Sequence, residues 1–437
     1  MSDASSVKIS DLVPPLTIET LVNGGAGLAR HAGRVVFIPH VAVGDIVSCR
    51  VTRIKKSFLE AEICEVVQPS PVRQQPVCPV AGECGGCQWQ HLPYPEQLRW
   101  KESLFRDSLV RQSHIDPAKV LPILTAPQEW NYRSRIQIKC EKRGDTFVTG
   151  FFRPRSHDIV AIDHCPLIAS ELNNLLYSFR QLFDNSAYAA HISQIDLMVD
   201  DRKKSAAVIH YAGDKISALV ETIEAASLPA DILLQTETRH KLMPVTGHGT
   251  LTIEVDDPSI PLDYSAGSFA QINLEQNRRM VKNVIDLASL SGAETVVDLF
   301  CGMGNFSLPL AKRVGQVVGV EASKSSIKMA NKNCRRQNIK NATFYNRSAV
   351  GALTFFLQQR PVDLVVLDPP RSGAIEVMKE LIDRPIKRII YVSCDPQTLT
   401  RDLKILVKGG YELVSSQPVD MFPQTHHCES ITLLQRP

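Results

Sequence analysis

The 437-residue chain reads as a multidomain α/β protein, in which a small OB-like β-barrel and a central α+β segment precede a doubly wound parallel sheet. Three observations predict this. From about residue 263, short β-branched apolar runs alternate with stretches of helical spacing, as parallel strands buried on both faces require. Between about 10 and 68, alternating strands are separated by Gly-rich turns, the pattern of a small barrel. Between these regions lies a Gly/Pro-rich loop with three closely spaced cysteines. The expected domains are 10–68, 69–262 and 263–437.

Composition sets the bounds. Hydrophobic residues are 44% and charged residues 22%, ordinary for a globular protein, and a net charge of +3 leaves any basic surface to be local. Met1 to Ser10 has no apolar core, and no run of eighteen apolar residues occurs, so neither a signal peptide nor a membrane span is expected and the expected location is the cytoplasm. Eleven cysteines, an odd number, point to reduced thiols and metal ligands rather than a disulfide framework.

In the barrel, Ile18 to Val22 alternates, Asn23 to Gly27 turns, and Arg34 to Pro39, Ile46 to Ile54 and Phe58 to Val67 continue the series. Arg50, Arg53, Lys55 and Lys56 form an acid-free basic run. It reads equally as a solvated edge and as a track for a phosphate backbone. The Pro-rich link 68–71 ends the unit.

Next comes Cys78-Pro-Val-Ala-Gly-Glu-Cys84-Gly-Gly-Cys87. Three thiols spaced C-x5-C-x2-C in a glycine-rich loop can converge on one metal centre, and Cys165, in Asp163-His164-Cys165-Pro166, is the best candidate for a fourth. Four thiolates suit zinc or an iron–sulfur cluster, and the single asymmetric knuckle leans toward [4Fe–4S]. Tyr94 to Gln112 has helical spacing. Tyr132 to Arg155 is strand-rich and basic, with Phe147, Phe151 and Phe152 interleaved; it reads as a nucleic-acid signal or as a hairpin with an aromatic underside. Residues 170–262 alternate helix-like and strand-like segments without recognisable chemistry.

The last domain carries its polar residues at strand ends. Thr295 to Ser307 is strand, glycine loop, helix, and Val317 to Val320 is a strand ending in Glu321, twenty-three residues after Asp298. A carboxylate there can accept both ribose hydroxyls of an adenosyl ligand. The loop lacks a Lys-Ser/Thr pair, which disfavours a nucleoside triphosphate and leaves S-adenosylmethionine as the better fit. Val362 to Leu367 leads into Asp368-Pro369-Pro370-Arg371. Ile389 to Val392 leads into Ser393-Cys394-Asp395-Pro396, which places a cysteine at the crevice end of the sheet. Phe269-Ala270-Gln271 opens the domain and His427-Cys428-Glu429 lies near its end.

These motifs together resemble the RNA uracil-5-methyltransferases, specifically the iron–sulfur branch acting on 23S ribosomal RNA, over essentially the whole chain. The resemblance implies a TRAM domain at 10–68, a central iron–sulfur domain and a Rossmann-like S-adenosylmethionine-dependent methyltransferase domain. It implies cluster ligation by Cys78, Cys84, Cys87 and Cys165. It also implies donor contacts from Gln271, Phe300, Asn305, Glu321, Ser348 and Asp368, with Phe269 offering an aromatic face. Ser348 departs from the usual Asn or Asp at the adenine position, and Cys428 stands where Val is common.

The implied chemistry accounts for the residue types. Uracil C5 is a weak nucleophile until a thiolate adds at C6, and Cys394 matches that role. The C5 proton must then be removed, and Glu429 matches the base. The target uridine would have to be flipped out of the folded RNA. A monomer acting on RNA is expected. The alternatives are the same reaction on tRNA, and a non-catalytic RNA-binding or ribosome-assembly factor; the intact Cys394, Asp368 and Glu429 set disfavours the latter.

Overall fold

The computed structural model describes residues 8–113, 115–236 and 242–436. The chain forms two compact units: Met1–Phe105 with Phe152–Asp158 and Phe422–His427, and Arg106–Phe151 with Ile159–Met421 and Cys428–Pro437. Among the described residues no helix is long and apolar enough to cross a membrane. Among the described residues no disulfide joins any of the eleven cysteines.

The first unit holds a six-stranded sheet in the order Leu12–Thr17, Ile46–Ile54, Phe58–Gln68, Arg34–Ile38, Gly27–His31, Thr20–Leu21. Alternation places Val47, Cys49 and Val51 in a core with Val36, Ile38 and Leu59, while Arg50 and Arg53 face solvent. The basic run therefore lies outside, with Arg53 set opposite Glu60 in the ladder. The fully buried Asp45 fastens the following link, accepting from Ser70 N at 2.8 Å and Arg73 Nη1 at 2.6 Å.

The second unit contains two seven-stranded sheets and a hairpin, Thr250–Val255 with Ile260–Ser265. The first sheet runs Met243–Thr246, Asp231–Thr236, Ser205–Tyr211, Ile192–Val199, Arg135–Arg143, Thr146–Phe152, Ile159–Ala161. Helices Ser170–Phe183 and Ile216–Ala226 bury their apolar stripes, Leu172, Leu175, Leu176 and Phe179 in one and Leu219 and Ile223 in the other. The basic stretch splits here. Phe147 is fully buried beside Phe183, ring centroids 5.3 Å apart, and so belongs to the core rather than to a stacking surface. Arg143 bonds the Ile159 carbonyl at 2.9 Å.

The other sheet is built from β1 (Thr295–Leu299), β2 (Gln316–Glu321), β3 (Ala342–Asn346), β4 (Leu364–Leu367), β5 (Arg388–Ser393), β6 (Glu412–Val419) and β7 (Glu429–Gln435). Its helices are α1 (Leu274–Ala288), α2 (Ser307–Ala311), α3 (Lys324–Arg336), α4 (Ala352–Leu357), α5 (Ile375–Asp383) and α6 (Pro396–Lys408). The strand order is β3-β2-β1-β4-β5-β7-β6. β3 to β5 pair in parallel, and β7 runs antiparallel to both its neighbours. Val296, Val297, Val365, Val366, Ile389 and Ile390 are essentially fully buried, as strands covered on both faces must be.

Helix α3 joins this sheet to the hairpin. Asn333 is fully buried; its Oδ1 accepts from Asp263 N at 2.8 Å, and its Nδ2 donates to the Asp263 and Met303 carbonyls at 2.9 and 3.3 Å. Arg336 adds an ion pair to Asp263 at 2.5 Å. Asn333→Ala orphans a buried N–H and two carbonyls, so unfolding should be easier by roughly 2–4 kcal/mol, read from denaturant midpoints at constant slope.

Candidate active site at the strand ends

The sequence Ser393-Cys394-Asp395-Pro396 builds its own corner. β5 ends at Ser393, and Asp395 caps α6, its Oδ1 accepting from Gln397 N at 2.8 Å and Thr398 N at 3.0 Å, with Pro396 in the first turn. Ser393 Oγ donates to the Asp395 carbonyl at 3.1 Å across the bend. Cys394 is thus the one residue between a strand and a capped helix, half-buried at the sheet edge. Below it, Tyr391 OH donates to Asp402 Oδ2 at 2.7 Å, and the same carboxylate accepts from Ala374 N at 2.8 Å. That bond ties the loop after Arg371 to α6.

Strand β7 supplies Glu429. The last β5–β7 pair is Ser393 with Ser430, so the next positions in that register are Cys394 and Glu429. Residues opposite each other in antiparallel strands have Cα atoms about 4.5–5.5 Å apart. Glu429 is 4% exposed, and burial, then the Asp368 charge, push its carboxyl up to about 8 against the opposing pull of Arg371. Burial, then Glu429 and Asp368, push the Cys394 thiol up to about 11, again with Arg371 opposing. Asp368 follows β4 and is raised by burial to about 7. The structure therefore brings Cys394, Glu429 and Asp368 into one electrostatic neighbourhood, and it adds Arg371 as the cation acting on the first two. Sequence reasoning quoted Arg371 within its motif without giving it a part.

The glycine loop after β1 forms the neighbouring feature. Phe300 takes φ +66°, a left-handed conformation that a bulky residue adopts only where its surroundings impose it. Cys301 N donates to the Val320 carbonyl at 3.0 Å and Gly302 N to Glu321 Oε2 at 3.3 Å, which hold the loop against β2. A Cβ on Gly302, at φ +54°, would meet no atom within 4 Å, so the loop backbone faces open space. Glu321 Oε1 accepts from Ser323 N at 2.7 Å. Asp298 is fully buried: its Oδ2 accepts from Ser307 Oγ at 2.5 Å, while its Oδ1 has no hydrogen-bond partner among the described residues. Burial, then Asp368 and Glu321 as like charges, raise it to about 7 despite the Ser307 bond. An orphaned carboxylate oxygen, an open loop backbone and Glu321 at the next strand end suit a cationic adenosyl donor.

The remaining candidates are placed more loosely. Asn305 exchanges both amide bonds with Asn277, at 2.9 and 3.0 Å, so its side chain is spent on α1. Ser348 is exposed just beyond β3, where its Oγ accepts from Val350 N at 3.2 Å. Gln271 is half-buried and Phe269 is 74% exposed. Their segment is pinned by Ser134 N to the Ile272 carbonyl at 2.8 Å and Arg135 Nη1 to the Ser268 carbonyl at 2.5 Å.

Cys78, Cys84 and Cys87 lie half-buried in a loop of the first unit. Gly86 N donates to Cys84 Sγ at 3.4 Å, and Gly85 N to the Phe152 carbonyl at 3.1 Å. Cys165 belongs to the second unit, where its N–H and carbonyl are both bonded to the Asn173 amide. Among the described residues, no three His, Cys, Asp or Glu side chains are grouped as a metal-holding set.

Comparison with known proteins agrees with this architecture. The tRNA (uracil-5-)-methyltransferase family matches residues 94–437, and the TRAM domain family matches residues 13–64. A 23S rRNA (uracil(1939)-C(5))-methyltransferase RlmD of Legionella pneumophila is 36% identical, covering 96% of both chains. The protein of the same name from Aeromonas hydrophila is 33% identical over 96% of each. The crystal structure of the Pyrococcus abyssi tRNA (uracil-54, C5)-methyltransferase superposes with a TM-score of 0.74 at 24% identity, covering 96% of this chain and 99% of that one, and so shares the fold. The chain is an N-terminal TRAM domain joined to an S-adenosylmethionine-dependent methyltransferase fold, and it belongs to the RNA (uracil-5-)-methyltransferase family.

Proposed function

We propose that the protein methylates C5 of a uridine in 23S ribosomal RNA, with Cys394 as nucleophile and Glu429 as base. The observation that carries this reading is that the β5–β7 ladder ends at Ser393 with Ser430, one residue short of a thiol and of a buried carboxyl whose charge acts on it. The 23S target follows the names of relatives that align over 96% of the chain. The Cys394 thiol gives up its proton to solvent, its Sγ bonds to C6, and the electron pair moves onto C5 and O4 as an enolate. The donor, which Asp298, Glu321 and the Phe300–Gly302 loop would hold, would pass its methyl group to C5 as the S–CH3 bond breaks, and would leave as the neutral thioether. Glu429 then takes the C5 proton, the C6–S bond breaks, and 5-methyluridine and the thiolate separate. Arg371 favours the anionic form of both groups. Asp368 and Gln271 are assigned to the donor or the pyrimidine edge, Phe269 to stacking on a base, Asn305 to holding α1 beside the loop, and Ser348 to the adenine end.

The second part of the reading is a [4Fe–4S] cluster on Cys78, Cys84, Cys87 and Cys165. The donor set supports it: four cysteines outside any disulfide, three of them in one glycine-rich loop, and an N–H already aimed at Cys84 Sγ. The four thiolates leave no iron site for substrate, so the role assigned is structural. The enzyme is read as a cytoplasmic monomer whose partner is RNA.

The two steps at the base separate the roles. Cys394→Ala should give neither methyl transfer nor a covalent adduct. Glu429→Gln should add and methylate but stall at elimination, so that a methylated protein–RNA adduct accumulates on denaturing gels with labelled donor; 5-fluorouridine RNA should trap wild type in the same state. Normal turnover by Glu429→Gln, or an adduct with Cys394→Ala, refutes the assignment. Running 23S rRNA and tRNA in parallel decides the target.

Proton bookkeeping gives a pH prediction. Asp298, Asp368 and Glu429 all have raised values in the fold, so the folded protein holds protons that the unfolded chain releases near pH 4. Their contribution favours folding in acid and is lost as pH climbs through about 7 to 8. Donor-free Glu429→Gln should therefore be more stable than wild type at pH 8.5 by on the order of 1–3 kcal/mol, a gain that shrinks toward pH 5 in thermal melts. The methylation rate of wild type should rise with pH through about 8 as Glu429 ionises and continue to rise above it as the Cys394 thiol, pushed up to about 11, ionises in turn.

Protein purified without oxygen should be brown and hold about four irons per chain, and replacing any one of the four cysteines with Ser should lower that content. Stoichiometric zinc without iron would refute the cluster.

A further inference from the structure

The chain reaches Glu429 by way of the first unit. Phe422–His427 belong to that unit and Cys428 to the second, so Glu429 stands two residues beyond a segment anchored there. The anchor is built by the residues that follow the cysteine loop. Gln424 N donates to Gln97 Oε1 at 2.8 Å, and Gln97 Nε2 donates to Gln424 Oε1 at 2.9 Å. The same Nε2 lies 2.9 Å from the Leu92 carbonyl and 3.2 Å from that of Trp89, while Trp89 N donates to the Gln424 carbonyl at 3.1 Å. Lys101 Nζ donates to the Phe422 carbonyl at 2.9 Å. Gln97 and Gln424 are fully buried and Lys101 is 2% exposed, so each of these polar groups depends on its bonds.

Gln424 also takes φ +69°, which a side chain longer than Asn adopts only under constraint. Its backbone N–H and C=O and its side-chain Oε1 are all bonded to Gln97 or Trp89, and that over-determination holds the turn. The turn also brings His426 against Gly25, where a Cβ would lie 2.9 Å from His426 Cβ.

At the other end of this short connection, Glu429 is the first residue of its strand. The β5–β7 ladder begins only at Ser430, and Glu429 itself pairs with Val419 on the β6 side alone. The strand pairs Glu429 on one flank, and on the other side of it in sequence Cys428 is the single residue between Glu429 and the anchored segment. We propose that the Gln97–Gln424 lock positions the base, with Gln97 and Gln424 as positioning residues for the elimination step. The inference rests on the reading of Glu429 given above.

The test separates addition from elimination. Gln97→Leu removes the amide at one end of the lock, and Gln424→Met removes the amide at the other, Oε1 and Nε2 together, while keeping its backbone N–H and C=O, so the second variant carries the test if the first folds poorly. With 5-fluorouridine RNA, both variants should form the trapped adduct at the wild-type rate, since Cys394, the donor and the RNA are untouched. With uridine RNA, both should accumulate the methylated adduct, and elimination should slow roughly 10- to 100-fold, the scale of a displacement of about 1 Å at a reacting centre. Equal slowing of both steps, or slowing of neither in the folded variants, overturns the positioning role. If wild type itself forms no adduct with 5-fluorouridine RNA, the reaction assigned to Cys394 falls first, and the lock falls with it.

Discussion

The insertion of β7 between β5 and β6, antiparallel to both, is the constraint on which the site depends. A parallel sheet alone can gather strand ends, but each of those ends turns into a helix. A strand running the other way enters the sheet where its neighbours leave, so its first residue meets their last. Because side chains alternate with a period of two, a slip of one residue would turn Glu429 to the opposite face. The register is secured away from the site by the buried Ser416–Thr432 hydroxyl pair at 2.7 Å and by the fully buried Ile431 and Leu434. On the β5 side, the Asp395 cap and the Tyr391–Asp402 bond hold the corner that Cys394 occupies.

That geometry gathers charge of one sign. Asp298, Asp368 and Glu429 are all raised by burial, and the cation acting on Glu429 and Cys394 is Arg371. Buried carboxyls without matching cations destabilise the fold once ionised, and so does a phenylalanine at φ +66°. Both features sit at the edge where a cationic donor is expected. The site is better explained as preorganised for added positive charge than as a stabilising part of the core. The stability of the molecule comes from elsewhere: the apolar strands of both large sheets, and the Asn333 and Arg336 contacts that join α3 to the hairpin.

Much of this was legible because the relevant signals are local. Strand, corner, cap and proline follow one another within Val392 to Pro396, and Glu321 stands at a strand end that its own apolar run predicts. The limits were also physical. Glu429 opens a strand that the sequence reading did not mark, and only resemblance singled it out. The basic stretch 132–155 left two readings open, and the complete burial of Phe147 decides for the core at that position. Asn305 fits the donor motif by spacing, yet its amide is committed to Asn277, a partner in another helix. The charge state of Asp298 depends on Asp368, seventy positions away, which no local pattern reveals.

The Gln97–Gln424 pair is the extreme case, since its partners are 327 positions apart and neither belongs to a recognisable motif. A glutamine in a helix and another in a loop look like solvated residues until both are found fully buried. The same unit presents the exposed basic run of Arg50, Arg53, Lys55 and Lys56 on its TRAM sheet. On the reading proposed here, one compact body therefore carries both a surface suited to the RNA backbone and the anchor of the segment that leads to the base. On that same proposal the turn at Gln424 bears on the elimination step, while Cys394 has its own support, the Ser393–Asp395 bond, within the second unit. The two halves of the reaction would then draw their precision from different parts of the chain, which is why a defect in the anchor should leave attack at C6 intact.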